Sequence, residues 1–147
     1  MAYMHARHVI HCDIKGDNIV LDAALARPVL LDFELSKEAD KRIAGELVAQ
    51  STLLHGTLAY WAPELLTGTQ GRPTAKSDVF ALGRVLFELF LPGALKPLEP
   101  ILTLGPTLFP ATCDPLLRDL LEKMLARSPE ERVRADEALK HAFFTRK

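Results

Sequence analysis

Cysteine is scarce in this sequence, present only as Cys12 and Cys113. Two thiols do not make a disulfide framework, and their scarcity predicts a reducing compartment, the cytoplasm. Net charge is scarce too: 18 basic and 19 acidic residues leave a formal charge of -1. Such a balance argues for neither nucleic acid nor an anionic membrane as a general partner. Long apolar runs are absent. The most apolar segment, VFALGRVLFELFL, is interrupted by Arg84 and Glu88, so no membrane span is expected. The N-terminal MAYMHARHVIHCD lacks the apolar core of a signal peptide. There is no internal repeat and no low-complexity tract.

What is present suits one globular domain over residues 1–147, with 48% hydrophobic and 25% charged residues. Residues 1–7 read as the tail of a helix. Residues 18–22 and 28–33 (PVLLDF) are β-branched or apolar runs around DAALAR and predict a short hairpin. Residues 34–60 are polar and aperiodic and carry Ser36, Ser51, Thr52 and Thr57; an unstructured stretch this long is usually functional or disordered. Residues 77–91 place Val79, Phe80, Leu82, Val85, Leu86, Leu89 and Phe90 around most of a helix, which should therefore be buried. Five prolines (Pro92, Pro97, Pro100, Pro106, Pro110) mark residues 92–113 as a loop. Asp114-Pro115 is a good helix start, followed by an apolar stripe of Leu116, Leu117, Leu120, Leu121, Met124 and Leu125. A last helix is expected from Ala135 to Phe143. The fold class is mainly α with one short β-hairpin.

The densest chemistry lies in HVIHCDIKGDNIVLD, residues 8–22. An acid, a lysine and an amide (Asp13, Lys15, Asn18) fall within six residues and are followed at once by core-like sequence. In isolation they fit an ordinary polar turn. They are not isolated. Asp32-Phe33-Glu34 follows the hairpin, Gly56-Thr57-Leu58-Ala59-Tyr60-Trp61-Ala62-Pro63-Glu64 closes the long loop, Ser77-Asp78-Val79 opens the buried helix, and Arg132 lies in SPEERVRADEAL. Five motifs in this order resemble the C-terminal catalytic lobe of a protein kinase over essentially the whole chain. Lys15 after Asp13 and the Gly-Thr-x-x-Tyr-x-Ala-Pro-Glu ending resemble the serine/threonine type.

The resemblance implies the roles. Residues 11–18 would be the catalytic loop and residues 32–64 the activation segment. Asp13 would accept or orient the proton of the acceptor hydroxyl, and Lys15 would stabilise charge on the moving phosphoryl group. Thr57 would bridge toward Asp13 and Lys15. Asn18 and Asp32 would hold Mg²⁺, a hard ion that prefers oxygen ligands, and Val20 would pack under the adenine of ATP. His11 and Phe33 would stack in an internal apolar column, Asp78 would anchor the catalytic-loop backbone, and Glu64 with Arg132 would form a partly buried ion pair. The acceptor would be a serine or threonine of a protein substrate.

Three departures accompany the resemblance. No Gly-rich phosphate loop and no Val-Ala-x-Lys strand occur, so the expectation is a truncated domain whose N-terminal lobe, or a partner protein in its place, lies elsewhere. Cys12 stands where arginine is common, and Glu34 where glycine is usual, a substitution that should strain the backbone. A second reading follows: a pseudokinase-like or truncated lobe that binds a protein without catalysis. Smaller alternatives are a zinc site from His5, His8 and His11 and a reactive thiol at Cys12. The loop serines and threonines are candidate phosphorylation sites.

Overall fold

A computed structural model of the chain describes residues 1–24, 26–39, 57–66, 72–94 and 109–146, with the side chain of Thr57 excepted. Helix α3 (Ala75–Phe90) is the centre. Its start is a capping box: Thr74 Oγ1 accepts from Ser77 N at 3.3 Å, and Thr74 N donates to Ser77 Oγ at 2.9 Å. Ser77, Asp78, Val79, Phe80, Ala81, Gly83, Arg84 and Phe87 are buried. The expected all-round burial fails at the C-terminal end, where Leu89 and Phe90 are exposed. Leu91 ends the helix, and Gly93 turns the chain with φ +82°.

Helix α4 (Pro115–Met124) packs on α3. Asp114 caps it, its Oδ1 accepting from Leu116 N at 2.9 Å and Leu117 N at 3.0 Å. Leu117, Leu120, Leu121 and Met124 repeat at helical spacing and are buried. They join Phe80, Phe87, Val79 and Ala138 in two adjoining core clusters. The crossing is close: a Cβ built on Gly83 would lie 2.9 Å from Met124 Cβ.

The expected last helix is two: α5 (Ala135–Ala138) and α6 (Ala142–Thr145). His141 breaks it with an extended ψ of 145°. Its Nδ1 accepts from Phe143 N at 3.2 Å and its Nε2 donates to Asp119 Oδ2 at 2.7 Å, so the imidazole caps α6 while tethering it to α4.

The hairpin forms. β2 (Ile19–Asp22) pairs antiparallel with β3 (Arg27–Leu30), Ile19 opposite Leu30 and Asp22 opposite Arg27. The second strand ends at Leu30, short of the expected residue 33. A second two-stranded sheet was not expected: β1 (Val9–Ile10) pairs with β4 (Lys37–Glu38). Helices α1 (Ala2–His5) and α2 (Pro63–Leu66), with 3-10 turns at Gly16–Asn18 and Thr57–Tyr60, complete the described elements. Among the described residues no helix is long and apolar enough to cross a membrane. Leu25, Ser51, Thr52, Gly56, Pro97, Pro100 and Pro106 lie outside the described residues.

Candidate active site

The segment between β1 and β2 carries the polar constellation. Only its last residues, Gly16–Asn18, form a 3-10 turn, so the backbone groups before them need other partners. Asp78, 2% exposed in the first turn of α3, supplies them. Its Oδ2 accepts from His11 N at 2.8 Å and its Oδ1 from Cys12 N at 3.0 Å. This is the expected anchor. Oδ2 also takes His5 Nε2 at 2.9 Å, a contact the sequence reading missed. His11 is buried between neighbours: Nε2 donates to Leu31 O at 3.0 Å and Nδ1 accepts from Asp13 N at 3.3 Å. These bonds fix the proton on Nε2. His5 and His11 are therefore committed to different partners, and no group of three His, Cys, Asp or Glu that could hold a metal occurs among the described residues.

The backbone held by Asp78 turns sharply. Cys12 has φ +71°, a left-handed conformation that non-glycine residues adopt only when held. The turn presents Asp13, which is 6% exposed. Asp13 Oδ2 accepts from Lys15 Nζ at 2.8 Å and from Asn18 Nδ2 at 3.0 Å. Its Oδ1 is buried and has no hydrogen-bond partner among the described residues. Asn18 Nδ2 also donates to Asp13 O at 2.8 Å, so the amide's donors face Asp13 and its carbonyl oxygen is left as an acceptor. A small cavity of about 20 Å³ lies beside Asp13, walled by Tyr60, Trp61 and Leu65.

The hairpin brings Asp32 to the same end as Asn18. Leu31 N donates to Asn18 O at 2.8 Å, which places Asp32 one residue beyond that pairing. Asp32 is exposed and has φ +62°. The strain expected at Glu34 falls here instead: Glu34 is not among the positive-φ residues, and its N–H donates to Asp32 Oδ1 at 3.3 Å. Phe33 meets His11 with ring centroids 4.8 Å apart, as expected, but is 49% exposed and closes no column. Val20 lies on β2 opposite Val29 and is 42% exposed. The side chain of Thr57 lies outside the described residues, so its bridge to Asp13 and Lys15 does too.

Below this site, Glu64 and Arg132 form a two-pronged ion pair, Nη1 to Oε1 at 2.8 Å and Nη2 to Oε2 at 3.0 Å. It is more buried than expected, with Arg132 at 1% and Glu64 at 9% exposure. The rest of the guanidinium donates to Lys76 O, Ala126 O and Arg127 O and lies over the Phe80 ring.

Known proteins resemble this chain over most of its length. The pattern of the protein kinase domain matches residues 1–144. Aurora kinase of Schizosaccharomyces pombe is 32% identical over 99% of this chain, which spans 40% of that protein. Serine/threonine-protein kinase ksg1 of the same yeast is 33% identical over 97% of the chain, with 26% of that protein spanned. Serine/threonine-protein kinase PknD of Chlamydia caviae is 34% identical over 94% of the chain, with 17% spanned. This chain belongs to the protein kinase family. It spans less than half the length of each of these relatives.

Two features of this kinase-family site were not read from the sequence. The first is the state of Cys12. Burial, then the Asp78 charge, push its thiol up to about 12, with Lys37 opposing. A neutral, half-buried thiol is a poor nucleophile, which favours a structural role for Cys12 over a reactive one. The second is a link from Tyr60 to α3. Tyr60 Oη donates to Glu88 Oε2 at 2.9 Å, and Glu88 Oε1 pairs with the buried Arg84 at 3.0 Å. Burial and the Glu88 carboxylate push the Tyr60 phenol up to about 12. Arg84 and Glu88, in the sequence mere interruptions of an apolar run, fix Tyr60 to the core helix. Ser36, a candidate phosphorylation site, donates from Oγ to His11 O at 3.3 Å.

Proposed function

We propose that the chain is the C-terminal catalytic lobe of an ATP- and Mg²⁺-dependent serine/threonine kinase. It would move the γ-phosphoryl group of ATP to a hydroxyl of a protein substrate. One observation carries the reading: a buried carboxylate, Asp13, with one oxygen held by Lys15 and Asn18 and the other, Oδ1, without a partner among the described residues. A buried acceptor without a donor is costly, and an incoming hydroxyl supplies the missing donor. Asp13 orients that hydroxyl and takes its proton as the oxygen attacks. Lys15 Nζ, already at the site, balances negative charge on the phosphoryl oxygens. Val20 offers an apolar surface on the exposed side of the hairpin for the adenine.

Asn18 and Asp32 suit Mg²⁺. The amide of Asn18 turns its nitrogen to Asp13 and offers its oxygen as an acceptor, Asp32 is exposed at the same hairpin end, and this ion is usually held by one or two side-chain oxygens with phosphates and water completing its shell. Bound there, it would neutralise the charge of the phosphates. The kinase relatives support a protein as the acceptor.

A second reading, a binding module that docks a partner without catalysis, draws on Val20, Leu31 and Phe33, all exposed beside the site. Calorimetry of Mg²⁺-ATP with the purified chain and its Asp32→Asn variant separates the two. Binding that vanishes in the variant, followed by phosphoryl transfer that Asp13→Asn abolishes, is expected of the kinase lobe. A folded chain that takes up no nucleotide would leave the binding module.

A further inference from the structure

We propose that the cavity between α1, α3 and α5 binds a small monocarboxylate with an apolar body. The cavity holds about 370 Å³, within the range of small-molecule sites, about 300–1,000 Å³. Its apolar walls are alanines from all three helices. Ala2 and Ala6 lie four residues apart on one face of α1, Ala75 opens α3, and Ala135 opens α5. An alanine has no rotamers to lose and cannot swing in to fill the space. A ligand lying on these methyl groups therefore immobilises no side chain there.

The charged groups at the rim select the ligand's head. Arg134 Nε and Asp136 Oδ1 pair at 3.1 Å and offset each other. His5 also lines the cavity, with its Nε2 committed to Asp78. Glu137 turns its carboxylate to Arg134 N at 2.8 Å. Glu130 senses Lys76 but is exposed and bonds to the Ser128 hydroxyl. That leaves Lys76. Its Nζ donates to Arg132 O, a carbonyl without net charge. An ammonium carries three donors, so this bond neither neutralises the cation nor exhausts its donors. One uncompensated positive charge in a cavity wall matches one negative charge. A carboxylate supplies it, through a charge-assisted bond about twice as strong as a neutral one. A phosphate monoester, at about -1.5 to -2, would leave excess negative charge beside Asp136. The head therefore sits at Lys76 and the apolar body over the alanines.

Titration of 3-phenylpropionate into the 147-residue chain tests the site without requiring turnover. The methyl signals of Ala2, Ala6, Ala75 and Ala135 report on it. They should move together to saturation with a Kd of about 1 mM. 3-Phenylpropionamide has the same shape and no charge, and should bind about 10-fold more weakly. The acid should weaken by about the same factor in Lys76→Met. Ala6→Phe, at an exposed position, keeps every charge and fills the space, so binding of the acid should be lost.

Methyl signals that do not saturate, or acid and amide that bind alike, overturn the proposal. Acetate that moves the same signals as strongly as 3-phenylpropionate also overturns it, since that marks ion pairing at a surface lysine only. Should Lys76→Met fail to fold, the amide and Ala6→Phe decide: acid binding that survives the phenylalanine puts the probe elsewhere and sinks the site. Binding that meets these conditions in a chain that takes up no Mg²⁺-ATP would uphold the site and count only against the kinase reading.

Discussion

The residue before Asp13 is a thiol in a left-handed turn, and its surroundings dictate its chemistry. Burial and Asp78 both disfavour the thiolate of Cys12, lifting its proton affinity from an ordinary 9.0 to about 12. The sign of the consequence follows. A group that holds its proton more tightly when folded stabilises the fold below its unfolded value, and that contribution fades as pH rises from about 9 toward about 12. At mildly alkaline pH the native thiol should therefore alkylate far more slowly than after denaturation in urea. Mass spectrometry of peptides from native and unfolded protein reads this site by site. Equal labelling of Cys12 in both states would mean that the turn opens readily and that Asp78 does not hold it.

At the scale of elements, α3 and α4 touch where glycine stands. An alanine at position 83 would improve helix propensity by about 1 kcal/mol. Its Cβ, however, would meet Met124 Cβ at 2.9 Å and Leu125 Cδ2 at 3.1 Å. A Cβ cannot swing aside, so the helices must part, at a cost of about 1–3 kcal/mol. Gly83→Ala should lower the urea midpoint despite its better propensity; a raised midpoint would mean that α4 yields freely. The same elements show what was legible in the sequence. α3 and α4 announced themselves by apolar spacing, and the hairpin by β-branched runs on either side of a turn. The β1–β4 pair did not, because two residues per strand carry no period. The split between α5 and α6 contains neither glycine nor proline; it is made by the tether from His141 to Asp119, 22 residues away. In the site, Asp13, Lys15 and Asn18 lie close in sequence and were found together in space. Their support was not legible: the left-handed turns at Cys12 and Asp32 carry no glycine to mark them. The contact from His5 to Asp78 joins residues 73 apart.

Across the whole molecule, one ion pair gathers parts of the chain that are far apart in sequence. Arg132 binds Glu64 at the start of α2, the carbonyl of Lys76 in α3, and the carbonyls of Ala126 and Arg127 after α4. Every prong of the guanidinium is used, so the desolvation of a fully buried cation is well compensated. Removing one partner strands the other, which costs about 3–5 kcal/mol in buried pairs. Typical domains hold only about 5–15 kcal/mol in all. Glu64→Leu and Arg132→Met should each consume a large part of that margin. The double variant leaves no stranded charge and replaces the pair with apolar side chains beside Phe80, so it should be more stable than either single one. Urea unfolding of the four proteins closes the cycle. Strict additivity of the two losses would show that Arg132 acts through its three carbonyl bonds rather than through Glu64. In that case the clamp would join α3 to the segment after α4 and leave α2, with the residues just before it, held by Tyr60 and Glu88.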